Sequence, residues 1–488
     1  MLLSELLKDM DAEVLQGSTD VEVSDVIRDS RKDCAGAAFV CICGTKRDAH
    51  EYAAEVAAKG AVALIVEKPV EVPAPVTVVK VANTRRALAE LSAAFLGHPT
   101  RHMTAIGLTG TKGKTTTTFM IKSILEAAGK KVGLVGTNGA VIDGVLYPTL
   151  NTTPESDELQ HYFKQMLDAG CGHMIMEVSS QGLKMNRVAG IDFDYGLFTN
   201  ISPDHIGPDE HADFAEYLDC KAKLFTMCDK GFVNLDDPHA EEILKKGTCS
   251  FTTFGCGEAA ERRAEEIHPL HEGSFMGISF LYHGRQTFPV RVSTPGMFSV
   301  YNALAAITLT EEMGVDPAII QQVLETIKVD GRMELVYASE RCSVIVDYAH
   351  NGIAAENILE TLRQYEPRRL VVVFGCGGNR DPHRRYEMGE VCGRMADLSV
   401  VTEDNSRYER VEDIIADIHK GMAPTGGAYI DIPDRRDAIR YSIEHSMPGD
   451  VIAIIGKGHE NYQEKNGVRT HLLDREEAEK VLKDLGWI

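Results

Sequence analysis

The segment Gly107-Leu-Thr-Gly-Thr-Lys-Gly-Lys-Thr-Thr-Thr carries the residue types that hold the phosphates of a nucleotide. Glycines let backbone N–H groups approach anionic oxygens, a helix N-terminus adds a favourable dipole, and a lysine binds the terminal phosphates. Gly110, Thr111, Gly113 and Thr116 supply the cradle, Lys114 fits the lysine, and Thr115 fits the hydroxyl that ligates magnesium. The strict pattern G-x4-G-K-[ST] is not met, because Leu108 stands where its first glycine belongs. The variant Gly-Thr-x-Gly-Lys-Thr is met. Further on, Met176-Glu-Val-Ser-Ser-Gln ends an apolar run. A carboxylate there, Glu177, suits magnesium, which prefers hard oxygen ligands. Three later polar stretches also follow apolar runs: Gly375-Cys-Gly-Gly-Asn-Arg-Asp, Asp404-Asn-Ser-Arg and Gly456-Lys-Gly-His-Glu. Loops at the ends of parallel strands bind ligands in doubly wound folds, so these three could converge on one small molecule.

The elements that must position these residues follow from the apolar pattern. Ala105–Leu108, the glycine loop and a helical pattern over Thr115–Ala128 read as strand, loop and helix. From Gly331 onward, the runs Val344–Val346, Leu370–Phe374, Leu398–Val401 and Val451–Ile455 alternate with helical patterns, which implies a parallel, doubly wound sheet. Ahead of Pro99, Ala37–Ile42 and Ala61–Val66 flank an Ala-rich helical stretch, whereas Gly255–Arg291 reads as irregular or hairpin structure. The chain has 488 residues, which at ~150 residues per domain suggests three domains. Its longest apolar runs fall far short of the ~18 residues of a membrane span. Glu5, Asp9, Asp11 and Glu13 argue against a secretion signal. Eleven cysteines, with one CxC at Cys41 and Cys43 and no CxxC, read as reduced core residues of a cytosolic protein rather than a zinc site. With 51 Lys+Arg against 73 Asp+Glu, the net charge is −22. That argues against non-specific binding to nucleic acid or an anionic membrane. It also means that any anion site must gather local positive charge against an unfavourable overall field.

In their order along the chain these stretches resemble the Mur ligases, the ATP-dependent amide-forming enzymes of peptidoglycan precursor synthesis. The resemblance covers nearly the whole chain and is strongest to the members that add the third peptide residue. It implies an α/β protein of three domains. These are a UDP-sugar-binding domain over 1–99, a central P-loop ATPase domain over 100–330, and a C-terminal Rossmann-like doubly wound sheet over 331–488 that binds the incoming amino acid. Phe198-Thr-Asn-Ile-Ser-Pro-Asp-His is similar to the family's TNxxxDH stretch, which places His205 beside a second magnesium. Lys221, in Tyr217-Leu-Asp-Cys-Lys-Ala-Lys-Leu-Phe, falls where the family carries a carbamylated lysine (N6-carboxylysine), and register against Tyr217 favours it over Lys223. The implied metal set is Thr115, Glu177, His205 and Lys221.

Other positions take their roles from the same resemblance. Asp29-Ser-Arg, with Gly36 and Phe39, looks like the uridine-diphosphate site, with Ser30 as a donor. Gly44-Thr-Lys-Arg-Asp-Ala-His continues it, with Ala49 where the family usually has glycine. Asn151, Thr152, Thr153 and Ser179 serve the muramyl-dipeptide arm, and Arg187 offers a guanidinium to the D-glutamate carboxylates. Gln181 stands where the family often has histidine; an amide cannot change charge, so it has no acid–base role. Asn302 is placed near adenine, and Arg332 neutralises phosphate charge. Asp347 accepts from ribose hydroxyls or orients a donor, and His350 either acts near the acyl transfer or is structural. ATP would sit at a domain joint completed by closure.

The added amino acid would touch Arg380, Asp404, Asn405, Arg407, Gly456 and Glu460. A meso-diaminopimelate has a second ammonium–carboxylate end. Arg407 can bind that carboxylate, and Asp404 or Glu460 can pair with the ammonium. Diaminopimelate-adding members show Asp-Asn-Pro-Arg here, where this chain has Ser406, and lysine-adding relatives tend to lack the arginine. Gln181 and Ile201-Ser-Pro-Asp-His-Ile-Gly-Pro resemble some lysine-adding enzymes, but that domain does not read the incoming side chain. The expected reaction is ATP- and Mg2+-dependent addition of meso-2,6-diaminopimelate to the D-Glu of UDP-MurNAc-L-Ala-D-Glu through an acyl phosphate. The alternatives are L-lysine addition and, in another class, a non-catalytic P-loop nucleotide-dependent binding protein. A folylpolyglutamate or cyanophycin type of ligase is disfavoured by Asp29-Ser-Arg and Asp404-Asn-Ser-Arg. A cytoplasmic monomer with small-molecule substrates, and with neither nucleic acid nor membrane as partner, is expected.

Overall fold

In the computed structural model, which describes residues 1–44, 47–208 and 210–488, most of the apolar runs become buried strands. Thr45 and Lys46, in the stretch that continues Asp29-Ser-Arg, lie outside the described residues. The chain forms two compact units, Met1–Arg263 with Leu304–Ile319, and Ala264–Ala303 with Ile320–Ile488.

The first unit holds two sheets. One runs in the order Ala12–Gln16, Thr77–Val81, Ala63–Val66, Ala38–Val40, Val26–Ile27, and only Ala12–Gln16 is antiparallel to its neighbour. Ala63–Val66 is buried at every residue, as a parallel strand covered on both faces must be. The other sheet has a parallel core in the order Ser250–Gly255, Cys228–Asn234, Phe193–Phe198, Thr104–Thr109, His173–Glu177, Val132–Gly136. An antiparallel edge of Gly139–Ile142 and Val145–Tyr147 follows. Register pairs Glu177 with Leu108, so the carboxylate leaves its strand level with the start of the glycine loop. That loop runs into the helix Lys114–Ala127, which starts one residue before the position read from sequence. Gly113, just ahead of the helix, has φ 85°, a left-handed conformation that favours glycine.

The sheet of the second unit runs Glu334–Ala338, Cys342–Asp347, Asp450–Ile455, Arg369–Phe374, Leu398–Val401, Tyr429–Asp431, parallel except for the first pair. Two apolar clusters, one on each face, bury it between helices. Asp450–Ile455 returns late in the chain to the middle of the sheet. Its C-terminal end therefore lies beside those of strands that come far earlier, and their loops open at one edge. Gly255–Arg291 holds the strands Arg262–Glu272, Phe275–His283 and Thr287–Val292, the last two an antiparallel hairpin. A second hairpin, Tyr462–Lys465 with Val468–His471, follows the last polar loop. All eleven cysteines are free thiols. No helix among the described residues is long and apolar enough to cross a membrane.

Candidate active site

Asn200 clamps the glycine loop of the first unit. Thr111 N–H donates to the Asn200 carbonyl at 2.8 Å, Lys112 N–H donates to Asn200 Oδ1 at 2.9 Å, and Asn200 Nδ2 donates to the Lys112 carbonyl at 3.0 Å. Lys114 Nζ folds back onto the Gly110 and Thr111 carbonyls at 2.8 and 3.2 Å. The Thr115 hydroxyl donates to Glu177 Oε1 at 2.9 Å. Glu177 is 1% exposed. Thr137 gives it two more donors, N–H to Oε1 and hydroxyl to Oε2, each at 3.1 Å. A Cβ on Gly136 would overlap Glu177 Oε1, so glycine is needed where the carboxylate crosses that strand. Thr115 and Thr137 thus set hydroxyl oxygens against the Glu177 carboxylate, and hard oxygens of this kind fit magnesium.

Lys221 enters the same region. It is 2% exposed, donates from Nζ to the Gly110 carbonyl at 2.9 Å, and lies 4.6 Å over the Tyr217 ring. Burial, and then the nearby charge of Lys114, hold its pKa well below the ordinary lysine value. A lysine so depressed is a neutral amine at lower pH, the form that can add carbon dioxide. Lys223 is exposed. His205, about half exposed with φ 54°, bonds through Nδ1 to Glu210 at 2.8 Å. Its ring centroid lies 6.1 Å from that of Tyr217, whose hydroxyl bonds Thr111 Oγ1 at 3.0 Å. Tyr217 is therefore the shared neighbour of the glycine loop, Lys221 and His205. Sequence reasoning gave no role to Tyr217 or Thr137. The available signal was Tyr217's four-residue spacing to Lys221 on a helix; Thr137 carries none, because it meets Glu177 only through strand pairing.

Thr153 joins this centre to the next group of residues. Its hydroxyl donates to the Glu177 carbonyl at 2.9 Å and accepts from Ser179 N–H at 2.9 Å. The Ser179 hydroxyl accepts from Gly182 N–H and caps the helix Ser180–Lys184. Thr152 Oγ1 lies 3.1 Å from Thr137 Oγ1. Arg187 donates from Nη1 to the Thr153 carbonyl at 3.0 Å and pairs through Nη2 with Glu155 at 2.8 Å, while its buried Nε makes no hydrogen bond among the described residues. Asn151 is exposed. Ser30 accepts at its carbonyl from Lys59 Nζ at 2.8 Å. The neighbouring Arg28 pairs with Asp157 and Glu158, each at 2.8 Å. The Asp29-Ser-Arg segment is thereby held against the helix Ser156–Asp168, whose lead-in is Asn151–Glu155.

In the second unit, Asp347 accepts Met333 N–H at Oδ2 (2.7 Å) and Ala349 N–H at Oδ1 (2.8 Å). Burial pushes its pKa up, opposed by the charge of Arg332. These contacts are those of a group that orients its neighbours. Arg332 lies 4.9 Å over the Tyr348 ring. His350 is exposed, with Nδ1 2.9 Å from the Tyr348 carbonyl. Asn302 is buried on the helix Met297–Glu312.

The three strand-end loops of this unit do meet. Asn405 Nδ2 donates to Glu460 Oε2 at 2.8 Å. A Cβ on Gly456 would lie 2.9 Å from Asp404 Oδ2, and one on Gly377 would lie 2.9 Å from Arg407 Nη1 and 3.7 Å from Arg380 Cγ. Arg407 has φ 51° and donates from Nη1 to the Gly378 carbonyl at 2.7 Å. A left-handed non-glycine residue costs about 1–3 kcal/mol and persists only where its surroundings fix it. Here the hairpin does so: Arg407 N–H donates to the Glu464 carbonyl at 3.0 Å, and Asn466 N–H donates to the Arg407 carbonyl at 2.6 Å. Ser406 is fully buried and donates its hydroxyl to Glu403 Oε1 at 2.6 Å, and Glu403 pairs with Lys465 at 3.4 Å. That tether supplies a restraint that a proline ring would otherwise give.

Three family patterns match consecutive parts of the chain. "Mur ligase family, catalytic domain" covers residues 22–96, "Mur ligase middle domain" covers 108–310, and "Mur ligase, glutamate ligase domain" covers 331–458. A protein of Caldanaerobacter subterraneus subsp. tengcongensis, named UDP-N-acetylmuramoyl-L-alanyl-D-glutamate--2,6-diaminopimelate ligase, is 40% identical over 465 residues, 95% of each chain. The chain belongs to the Mur ligase family. A namesake of that relative from Syntrophomonas wolfei is 39% identical over 491 residues, 99% of each chain. A solved structure of a protein of the same name matches this Mur ligase with a TM-score of 0.76 and 28% identity, over 100% of this chain and 99% of that one. The α/β architecture is thus the three-domain fold of the Mur ligases, with a P-loop domain in the middle and a doubly wound sheet at the end.

Proposed function

We propose that this Mur ligase joins meso-2,6-diaminopimelate to the D-glutamate of UDP-MurNAc-L-Ala-D-Glu, converting ATP to ADP and phosphate. The observation that carries this reading is the meeting of Asp404, Asn405 and Arg407, at the end of one parallel strand, with Glu460 at the end of a second and Gly377 at the end of a third. Carboxylates and a guanidinium in one place suit a ligand end that bears both an ammonium and a carboxylate. The names of the relatives at 40% and 39% identity support the same amino acid. A carboxylate is a poor electrophile, because its leaving group would be oxide. Transfer of the γ-phosphoryl of ATP to the D-glutamate γ-carboxylate turns that leaving group into phosphate. The incoming amine then attacks the carbonyl carbon, and the tetrahedral intermediate collapses to the amide.

In this reading Gly110, Thr111, Gly113 and Thr116 form the phosphate cradle, and Lys114 holds the transferring group. Thr115, Glu177, His205 and a carbamylated Lys221 would hold magnesium, which when bound would neutralise phosphate oxygens. Arg187 positions the D-glutamate carboxylate, with Ser30, Asn151, Thr152, Thr153 and Ser179 along the rest of that substrate. Asn302, Arg332, Asp347 and His350 keep the roles that the family resemblance gives them, and Arg380 and Gly456 complete the amino-acid site. Residues 1–99, 100–330 and 331–488 would then serve UDP-sugar, ATP and amino acid in turn. The proposal is completed by a monomer that acts in the cytoplasm.

Product mass tests the function. ATP and UDP-MurNAc-L-Ala-D-Glu are offered with diaminopimelate, lysine or ornithine in parallel, and an amide product is expected with diaminopimelate alone. Product with lysine alone would assign the site to lysine. ATP turnover indifferent to both co-substrates would leave a nucleotide-dependent binding protein. Arg407→Met is expected to raise the KM for diaminopimelate roughly 10- to 100-fold, the worth of a hydrogen bond to a charged group. The KM for ATP should not change, and steady-state kinetics with each substrate varied reads both.

A further inference from the structure

Lys457 is wholly buried among the strand-end loops and has no part in the assignments above. A lysine is almost never buried completely unless it is paired. Its Nζ donates to Asn405 Oδ1 at 3.2 Å and to Glu460 Oε2 at 3.3 Å, and lies 5.4 Å over the Tyr462 ring. Both partners belong to the proposed amino-acid site. Asn405 Oδ1 also accepts Glu464 N–H at 2.9 Å, and its Nδ2 donates to Glu460 Oε2 at 2.8 Å. The orientation of a carboxamide is decided by the groups around it. Two donors facing the oxygen and one acceptor facing the nitrogen select a single orientation for Asn405.

The consequence falls on Glu460, whose side chain keeps 21% exposure. Its Oε2 takes two donors, Lys457 and Asn405. Among the described residues, Oε1 has only the Tyr348 hydroxyl at 3.5 Å, the outer limit of a hydrogen bond. The carboxylate is thus gripped by one oxygen and keeps the other for a further donor. Without the Lys457 ammonium, the carboxylate loses one of its two donors, and the Asn405 amide loses a bond that opposes its turning over.

We propose that Lys457 is a positioning residue for the ammonium of the incoming amino acid: it fixes the Asn405 amide and pins Glu460 through Oε2, so that Oε1 is the acceptor offered to the ligand. This rests on the reading that these loops hold the amino acid. A lysine needed only for folding would lower stability and kcat without choosing among substrates. A positioning lysine acts on one KM. Kinetics of the full chain, with each of the three substrates varied, separate the two. In Lys457→Met the KM for the amino acid that wild type uses is expected to rise at least tenfold, with the other two KM values within twofold. Combined with Asn405→Ala, the rise should be smaller than the product of the single effects, because both act through one amide. If Lys457→Met does not fold, Lys457→Gln, one atom shorter and still an N–H donor, is expected to show the same selectivity with a smaller rise. An unchanged amino-acid KM, or three KM values rising together, overturns the role of Lys457 alone. A wild type that forms no amide with any amino acid overturns the function and this inference with it.

Discussion

Lys114→Ala is expected to lower amide formation roughly 10³-fold, the upper part of the range for removing one preorganised donor from a transition state. In the free protein the Lys114 ammonium rests on two loop carbonyls, so its removal costs the fold little. Far-ultraviolet circular dichroism should therefore match wild type while turnover collapses. The same change reaches Lys221, whose Nζ shares the Gly110 carbonyl. After burial, Lys114 is the next cause of the depressed Lys221 pKa. Without it that pKa rises towards the ordinary 10.5, and less of the amine is neutral at a given pH. Carbon dioxide adds only to the neutral amine, and the carbamate that forms is an anion that would then lack a nearby cation. Both effects act in one direction. Native mass spectrometry in bicarbonate buffer should find wild type heavier than its sequence by one carbon dioxide. The heavier fraction should shrink in Lys114→Ala and vanish in Lys221→Met. Turnover of Lys114→Ala within tenfold of wild type would remove Lys114 from the transferring group.

What was legible in the sequence, and what was not, divides along physical lines. The run Val451–Ile455 gives the strand Asp450–Ile455 to within one residue because a parallel strand buried on both faces is mostly apolar; the residue missed, Asp450, is a buried carboxylate paired with Arg369. Tyr429–Asp431 and Glu334–Ala338 escaped notice because they lie at the sheet edges and are partly exposed, so they carry no continuous apolar run. Glu177 could be picked out because a carboxylate directly after an apolar run is unusual. Thr137 could not, because its link to Glu177 passes through strand pairing between segments forty residues apart. Lys457 stands inside the polar stretch Gly456-Lys-Gly-His-Glu, yet its burial depends on the hairpin at Tyr462 folding over it. The −22 charge, which set an obstacle for an anionic substrate, is met locally. Lys114, Arg187, Arg332, Arg380 and Arg407 stand at the proposed anion contacts, and exposed carboxylates more than ~8 Å away are screened at physiological salt.

The second large effect lies beneath the amino-acid loops. Arg435 and Asp474 are both fully buried and pair through two bonds of 2.7 Å. Arg435 also donates to the Ile455 carbonyl at 3.0 Å and the Glu403 carbonyl at 3.4 Å, the residues directly before Gly456 and Asp404. Asp474→Asn keeps the shape but leaves a buried guanidinium without its counter-charge, and breaking such a pair costs about 3–5 kcal/mol. Urea unfolding of the full chain should show that loss. Replacing both partners, as Arg435→Met with Asp474→Leu, should restore most of the stability, because a buried pair gains little over well-packed apolar groups. The amino-acid KM should stay raised in the double variant, since the two carbonyls ahead of Asp404 and Gly456 have still lost their tether. Recovery of stability and KM together would mean that Arg435 serves the core alone, whereas recovery of stability without KM identifies it as a support of the site.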